Sequence, residues 1–537
     1  MRLVLRGGRV YAPQFPCNCG VVAGAEAQTP AKTSQLQDCG HASAICVDED
    51  RVVWVGDDEH AGQYADGADR VVELAGRLVT PGFVDAHAHL AQTGFALGGL
   101  DLTTARSLGE ALDALAARAR ATTVPVVLGH GWDETTWPER RAPSRAEIDR
   151  AAGGRAVYLS RVDAHSAVVS TALLERRSQI AESEGYDPSG RLERDAHHLA
   201  RDALFEIVPS SARTEVIERA LRSAARSGIA MVHELGGLHL CLPSDLATAR
   251  EVSTRAGLPE VIGYWGQLGT VDEAQSMGCA GLAGDLCVDG SVGSRTAALH
   301  APYADANATG HLYLDVEQVA DHVVACTRAG LQAGFHVIGD RAVATAVQGL
   351  SAAADVVGKA ALVAARHRLE HVEMATPEQI ATLAALGVVA SMQPMFDAKW
   401  GDSMYVERLG RARAQRMNAF ASMRAAGVAL AFGSDSPVTS FGPWAAVRAA
   451  AAHHNEAERI SVTEAFDAHT VGGWRAARRD GGGVLEVGAP ASLAVWDLPR
   501  GADASSSGLP VLLDEDLPGC VLTLVRGRVA HEEEGAL

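Results

Sequence analysis

The chain has 537 residues, 47% of them hydrophobic, enough to bury one large core and a smaller one. Its net charge of −19 argues against nucleic acid or an anionic membrane surface as the main partner. No run reaches the ~18 apolar residues of a membrane span, and no signal peptide is visible in Met1 to Phe15, so a soluble, cytoplasmic protein is expected.

Residues 1–11 alternate apolar and polar around Gly7-Gly8, which predicts a hairpin. Residues 12–43 lose the pattern and read as a loop insertion. Within it, Cys17, Cys19, Cys39 and His41 form either a small zinc site or a set of free thiols. The nine cysteines are odd in number and scattered, so no disulfide framework is expected. Strand character returns in Ala44–Val47, Arg51–Val55 and Val71–Leu74. It appears again near the other end, in Ala491–Trp496 and Val521–Val529. Residues 1–80 and 481–537 are therefore predicted to build one small composite β-sandwich from both termini.

Between residues 81 and 480 the texture changes. Helical stretches such as Leu108–Arg120, Thr214–Ser227, Val316–Ala329 and Pro377–Leu386 alternate with short apolar strands. The strands include Val126–Leu128, Ile229–Val232, Gly334–Val337, Val388–Ser391 and Ala429–Gly433. Such alternation predicts a parallel sheet of the α/β class, and a (β/α)8 TIM barrel fits the length best. An open doubly wound sheet is the alternative, but no dinucleotide glycine fingerprint follows an early strand.

The chain is organised around Thr80-Pro81-Gly82-Phe83-Val84-Asp85-Ala86-His87-Ala88-His89-Leu90. On a strand, residues i and i+2 face the same side, so His87 and His89 can present two imidazoles to one point. Neutral imidazole is a preferred donor to zinc and related divalent metals. Catalytic groups in a barrel sit at the C-terminal ends of strands. His336, His371 and Asp435 each fall at such a position. Four histidines and one aspartate suit a divalent metal, zinc above all, that lowers the pKa of water.

The combination resembles the amidohydrolase superfamily, and within it the family-3 group that includes N-substituted formamide deformylase. The matching pieces are LVTPGFVDAHAHL at 78–90, GHGWDETTWPERRAPSRAEID at 129–149, RVDAHSAVV at 161–169 and VDGSVGSRTAALHAPY at 288–303. HVIGDRAV at 336–343, RLEH at 368–371, QP at 393–394, AFGSDSPV at 431–438 and GVLEVGAPASLAVWD at 483–497 complete them. The resemblance implies a metal-bearing barrel that hydrolyses carbon–nitrogen bonds other than peptide bonds, in an amide or N-substituted formamide. By that likeness His87, His89 and His336 are metal ligands. His371 binds a second metal or holds the attacking water, and Asp435 both binds metal and carries the proton.

One departure bears on the number of ions. Binuclear members of the group are expected to carry a carboxylated lysine where this chain has Asp285, and none of its three lysines, Lys32, Lys359 and Lys399, falls there. One ion is therefore expected rather than two, with Asp285 as a short bridging ligand the alternative. Around the site, Trp132, Asp133, His165 and Arg295 are candidate substrate-binding residues, with Trp137, Arg161 and Tyr303 in the same motifs. Met392, Phe396 and Trp265 read as barrel packing. The pairs His197-His198 and His453-His454 read as solvent-facing. The expected partner is a small-molecule substrate, with a homo-oligomer left open. Two other functions are kept: hydrolytic deamination of an aminated heterocycle, and a non-catalytic scaffold.

Overall fold

A computed structural model describes residues 1–12, 42–499, 508–512 and 516–537. The zinc reading of Cys17, Cys19, Cys39 and His41 lies outside the described residues. Eight largely buried segments pair in parallel, in chain order, into one sheet. They are β1 (Phe83–Ala88), β2 (Ile229–Gly237), β3 (Glu260–Gly266), β4 (Gly281–Leu282), β5 (Gln332–Val337), β6 (Arg368–His371), β7 (Val389–Met392) and β8 (Ala429–Phe432). The sheet closes on itself just beyond β8. There the Asp435 N–H donates to the His87 carbonyl at 2.7 Å, and the His89 N–H donates to the Ser436 carbonyl at 2.9 Å. Closure thus brings the ends of the first and last strands, both rich in candidate ligands, into direct contact.

The surrounding helices follow from their own sequence. In Val316–Arg328, Asp315 and Gln318 make a reciprocal cap at the start, and Val319, His322, Val323 and Cys326 form the buried stripe. No single described helix is long and apolar enough to cross a membrane.

The strand at Val126–Trp132 departs from expectation. It forms, but it does not join the barrel. It pairs with Leu100–Asp101 and Ala156–Arg161 in a separate five-stranded sheet, inserted between β1 and β2, that also contains Ser166–Val169 and Arg191–Glu193. Periodicity reports that a segment is a strand; it does not report which sheet the segment enters.

Both termini contribute to a pair of sheets. One holds Arg51–Gly56, Ala44–Asp48, Arg2–Arg6 and Arg70–Glu73; the other holds Arg9–Val10, Leu78–Pro81, Leu493–Asp497, Gly519–Val525 and Arg528–Glu532. Leu3, Ile45 and Val72 of the first pack with Val79, Leu493 and Leu522 of the second in one core. The predicted hairpin at Gly7-Gly8 is absent. Arg2–Arg6 pairs with Ala44–Asp48, whereas Arg9–Val10 pairs with Leu78–Pro81, so the two glycines carry the chain from one sheet to the other.

Gly82 is the passage from sandwich to barrel. Its N–H donates to Ser492 O at 3.0 Å, and a Cβ there would meet the Ala230 Cβ at 2.6 Å. Because Leu493–Asp497 lies between Leu78–Pro81 and Gly519–Val525, deleting residues 484–537 removes three of the second sheet's five strands. The expected result is insoluble protein, since an apolar face and an unpaired strand edge are left open. A soluble, active truncation, measured by sedimentation and turnover, would contradict the shared core.

Candidate metal centre

His87 is fully buried near the end of β1, and its tautomer is set from below. Its Nδ1 lies 2.9 Å from Glu370 Oε2, and Glu370 in turn accepts from Arg368 Nε at 2.5 Å and Nη2 at 2.9 Å. Burial alone would raise the Glu370 carboxyl, but Arg368 and His87 outweigh it and hold the group well below the usual range. An ionised Glu370 takes the Nδ1 proton as a hydrogen bond, which leaves the Nε2 lone pair facing the barrel mouth. His371 is set in the same way, with Nδ1 2.7 Å from Gln393 Oε1.

The ligand-bearing atoms converge. His89 Nε2 lies 3.2 Å from both Asp285 Oδ2 and Asp435 Oδ1. His87 Nε2 lies 3.5 Å from Asp285 Oδ1 and 3.5 Å from Asp435 Oδ1. His336 Nδ1, on β5, is 3.6 Å from Asp285 Oδ1. The His336 and His371 rings are 4.4 Å apart. Among these, His87 Nε2, His336 Nδ1, His371 Nε2 and Asp285 Oδ1 are buried without any hydrogen-bond partner. Four orphaned polar atoms around one point are costly unless a cation satisfies them. The spacing agrees, because tetrahedral zinc with bonds of ~2.0–2.1 Å separates its ligands by about 3.3 Å.

The electrostatics favour positive charge at the same point. Against burial, Asp435, Asp285 and Glu370 push the His87 imidazole up to about 10. Burial would raise Asp435 and Asp285, yet the facing histidines hold both below the usual carboxylate range. A divalent cation fits this set of donors.

Backbone conformation makes the cluster possible. Glu370 and His371 are adjacent on β6 and would face opposite sides of a regular strand. His371 has φ +69°, which turns its ring back toward the point that Glu370 supports from beneath. Asp435 likewise has φ +54°. Gly433 lies so close to β1 that a Cβ would meet the His87 backbone nitrogen at 2.5 Å.

The substrate-side candidates divide. His165 lines the cavity above the cluster, its ring 4.9 Å from that of His336, and burial together with His336 pushes it down to about 4. Trp132, Asp133 and Arg295 do not line that cavity. Trp132 is fully buried against Trp137, with its Nε1–H donating to Leu159 O. Asp133 accepts from Arg161 at 3.0 Å. Arg295 is bound to Asp305 at 2.6 Å, and the Tyr303 hydroxyl donates to Ala297 O, so both tie down their loop.

The expectation of solvent-facing histidines fails at His197 and His453, which are 2% and 0% exposed, and at His454, whose side chain is 5% exposed against Asp397. His197 stacks on Tyr158 with its Nε2 2.6 Å from the hydroxyl, and His453 lies against Asp397. Trp265 and Met392 are packed as expected; Phe396 is buried too, but it also stacks on the His371 ring.

Sequence reasoning noted Glu370 only as a candidate acid for deamination and missed that Arg368, Glu370 and Gln393 support the histidines from behind. A signal was present, since Arg-x-Glu in a strand buried on both faces demands an internal partner. Asp289, in the VDG motif, accepts from the N–H groups of Ala298, Ile338 and Gly339 and so builds the loop at the barrel mouth.

Fold and site together fit one class, a hydrolase whose divalent metal would be held at the mouth of a parallel barrel. The amidohydrolase family matches residues 70–531, and the chain belongs to that family. Relatives include the protein LONG AFTER FAR-RED 3 of Arabidopsis thaliana, 27% identical over 82% of this chain and 81% of its own length. The N-substituted formamide deformylase of Arthrobacter pascens is 24% identical over 85% of this chain and 90% of its own. A solved metal-dependent hydrolase from Pyrococcus furiosus superposes with a TM-score of 0.70 at 24% identity, over 93% of this chain and 99% of that one.

Proposed function

We propose that the chain hydrolyses a carbon–nitrogen bond in a small, non-peptide amide of the N-substituted formamide type, with Asp435 as the proton carrier. The observation that carries this reading is the place of Asp435. Its carboxylate meets both histidines of the β1 pair and faces the cavity that His165 also lines. A divalent metal held there by these residues would polarise the carbonyl and make a water more acidic. The water oxygen adds to the carbonyl carbon and the C–N bond breaks. Asp435, ionised, accepts the water's proton and delivers it to the departing nitrogen, which otherwise leaves as a strongly basic anion. His165, kept neutral by burial and by His336, would hydrogen-bond the carbonyl oxygen. The similarity to a formamide deformylase supports the choice of amide.

The expectation of a single ion rested on the lack of a lysine at position 285, with the shorter Asp285 as a bridging ligand the alternative. Its carboxylate nevertheless stands between His87 and His89 on one side and His336 on the other. His87, His89 and Asp435 would hold one ion, and Asp285, His336 and His371 a second. We therefore expect two zinc ions per chain. Plasma emission spectrometry on purified protein measures the count, and chelation followed by zinc should abolish and restore turnover of an N-substituted formamide. One tightly held equivalent would return Asp285 to a single ion.

A second reading, deamination of an aminated heterocycle, has one observation in its favour. Glu373, pushed up to about 7 by burial, lines the inner cavity beside His371 and Asp435 and could supply an acid. A panel of formamides, longer amides and aminoheterocycles separates the two readings by product.

A further inference from the structure

Beyond the metal centre the walls describe the rest of the substrate. The cavity holding His89, Asp285, His336 and Asp435 continues past Gln92, Arg201, His239 and Pro437 into a second cleft of about 90 Å³. That is several times the ~10–15 Å³ one water requires. Phe95, Leu128, Leu204, Phe205 and Val208 line it, so an aryl or alkyl group fits it better than water does.

Three arginines border this cleft, and two are already neutralised. Arg161 faces Asp133, Glu134 and Asp163, and Arg213 is paired with Asp245. Arg201 differs. Its Nη2 donates to Ala164 O at 2.5 Å and its Nε to the Tyr158 hydroxyl at 3.4 Å, which fixes the plane of the guanidinium. Among the described residues, Nη1 has no protein partner and no carboxylate pairs with Arg201. This residue lines both cavities, so its charge stands between the metal centre and the apolar cleft. A fixed guanidinium without an acid partner is a receptor for an anion.

We propose that the substrate is an amide that also carries a carboxylate, received by Arg201, and an aryl or alkyl group, received by the apolar cleft. The proposal rests on the amide-hydrolase reading above and deepens it. Arg201 sets specificity and takes no part in proton transfer.

The test compares two formamides differing by one carboxylate, N-formylphenylalanine and N-formylphenethylamine, with zinc-loaded protein. The acid is expected to have a kcat/KM at least about tenfold higher, in keeping with one charge-assisted contact. Arg201→Gln should collapse that ratio toward one, chiefly through KM for the acid, and Arg201→Lys should restore part of it. A wild-type ratio of one or less, or a ratio unaltered in Arg201→Gln, overturns the proposal. If neither compound is hydrolysed, the amide reading fails separately, and binding still decides the anion site. Titration calorimetry with 3-phenylpropionate and 3-phenylpropan-1-ol should then show tighter binding of the acid, lost at least about tenfold in Arg201→Gln. Equal binding of the acid by both proteins overturns it.

Discussion

Replacing Asp435 with asparagine is expected to lower kcat by ~10²–10⁴-fold, the contribution typical of general acid–base transfer, with zinc content falling much less. The backbone keeps its place in the variant, because the Asp435 N–H is bound to the His87 carbonyl at 2.7 Å. The amide has nearly the same shape and can still lie 3.2–3.5 Å from the paired histidines, the separations of the carboxylate it replaces. What it lacks is a site for the proton. His87→Ala should behave differently and lose the metal itself, because an Nε2 with no other partner is removed outright. Measuring turnover and metal content for both variants separates proton transfer from metal retention. Near-normal turnover in Asp435→Asn would mean that another group is the base.

The second large effect is expected at Arg368. Its side chain is fully buried at the foot of the metal centre, where it binds Glu370, the Ala86 carbonyl, Ser391 and His233. Arg368→Met removes one partner of a buried charge pair and leaves the Glu370 carboxylate without its main compensation. Breaking such a pair costs ~3–5 kcal/mol, which should appear as a lower urea midpoint of the zinc-free protein. Adding Glu370→Gln to that variant should recover part of the loss, because the stranded charge is gone and an amide oxygen can still accept from His87. An unchanged midpoint in Arg368→Met would show that the pair does not hold this end of the barrel together.

Much of the architecture was legible because it depends on local pattern. Short apolar runs between amphipathic helices announce a parallel sheet, and β-rich ends flanking a long middle announce a composite sandwich. Pairing partners were less legible. Val126–Trp132 is as good a strand in the inserted sheet as in the barrel, and Gly7-Gly8 marks a crossing as readily as a turn. His197 and His453 were misplaced for a related reason. A histidine next to polar residues reads as exposed unless the element packed over it is known, and Tyr158 and Asp397 come from distant parts of the chain.

The sequence by itself determined the candidate donors: two histidines at spacing two on a strand, with two more histidines and an aspartate at later strand ends. Strand periodicity and the chemistry of imidazole suffice for that. Only the tertiary structure decided that Asp285 joins them. The β4 loop is drawn against β5 by the Cys287–His336 bridge, which carries a short carboxylate to a place its length alone would not reach. The fold also decided the directions. Left-handed backbone at His371 and Asp435 turns their side chains toward a centre that Glu370 and Arg368 support from inside the barrel. Spacing along a chain fixes which residues share a face; closure of the barrel fixes which faces meet.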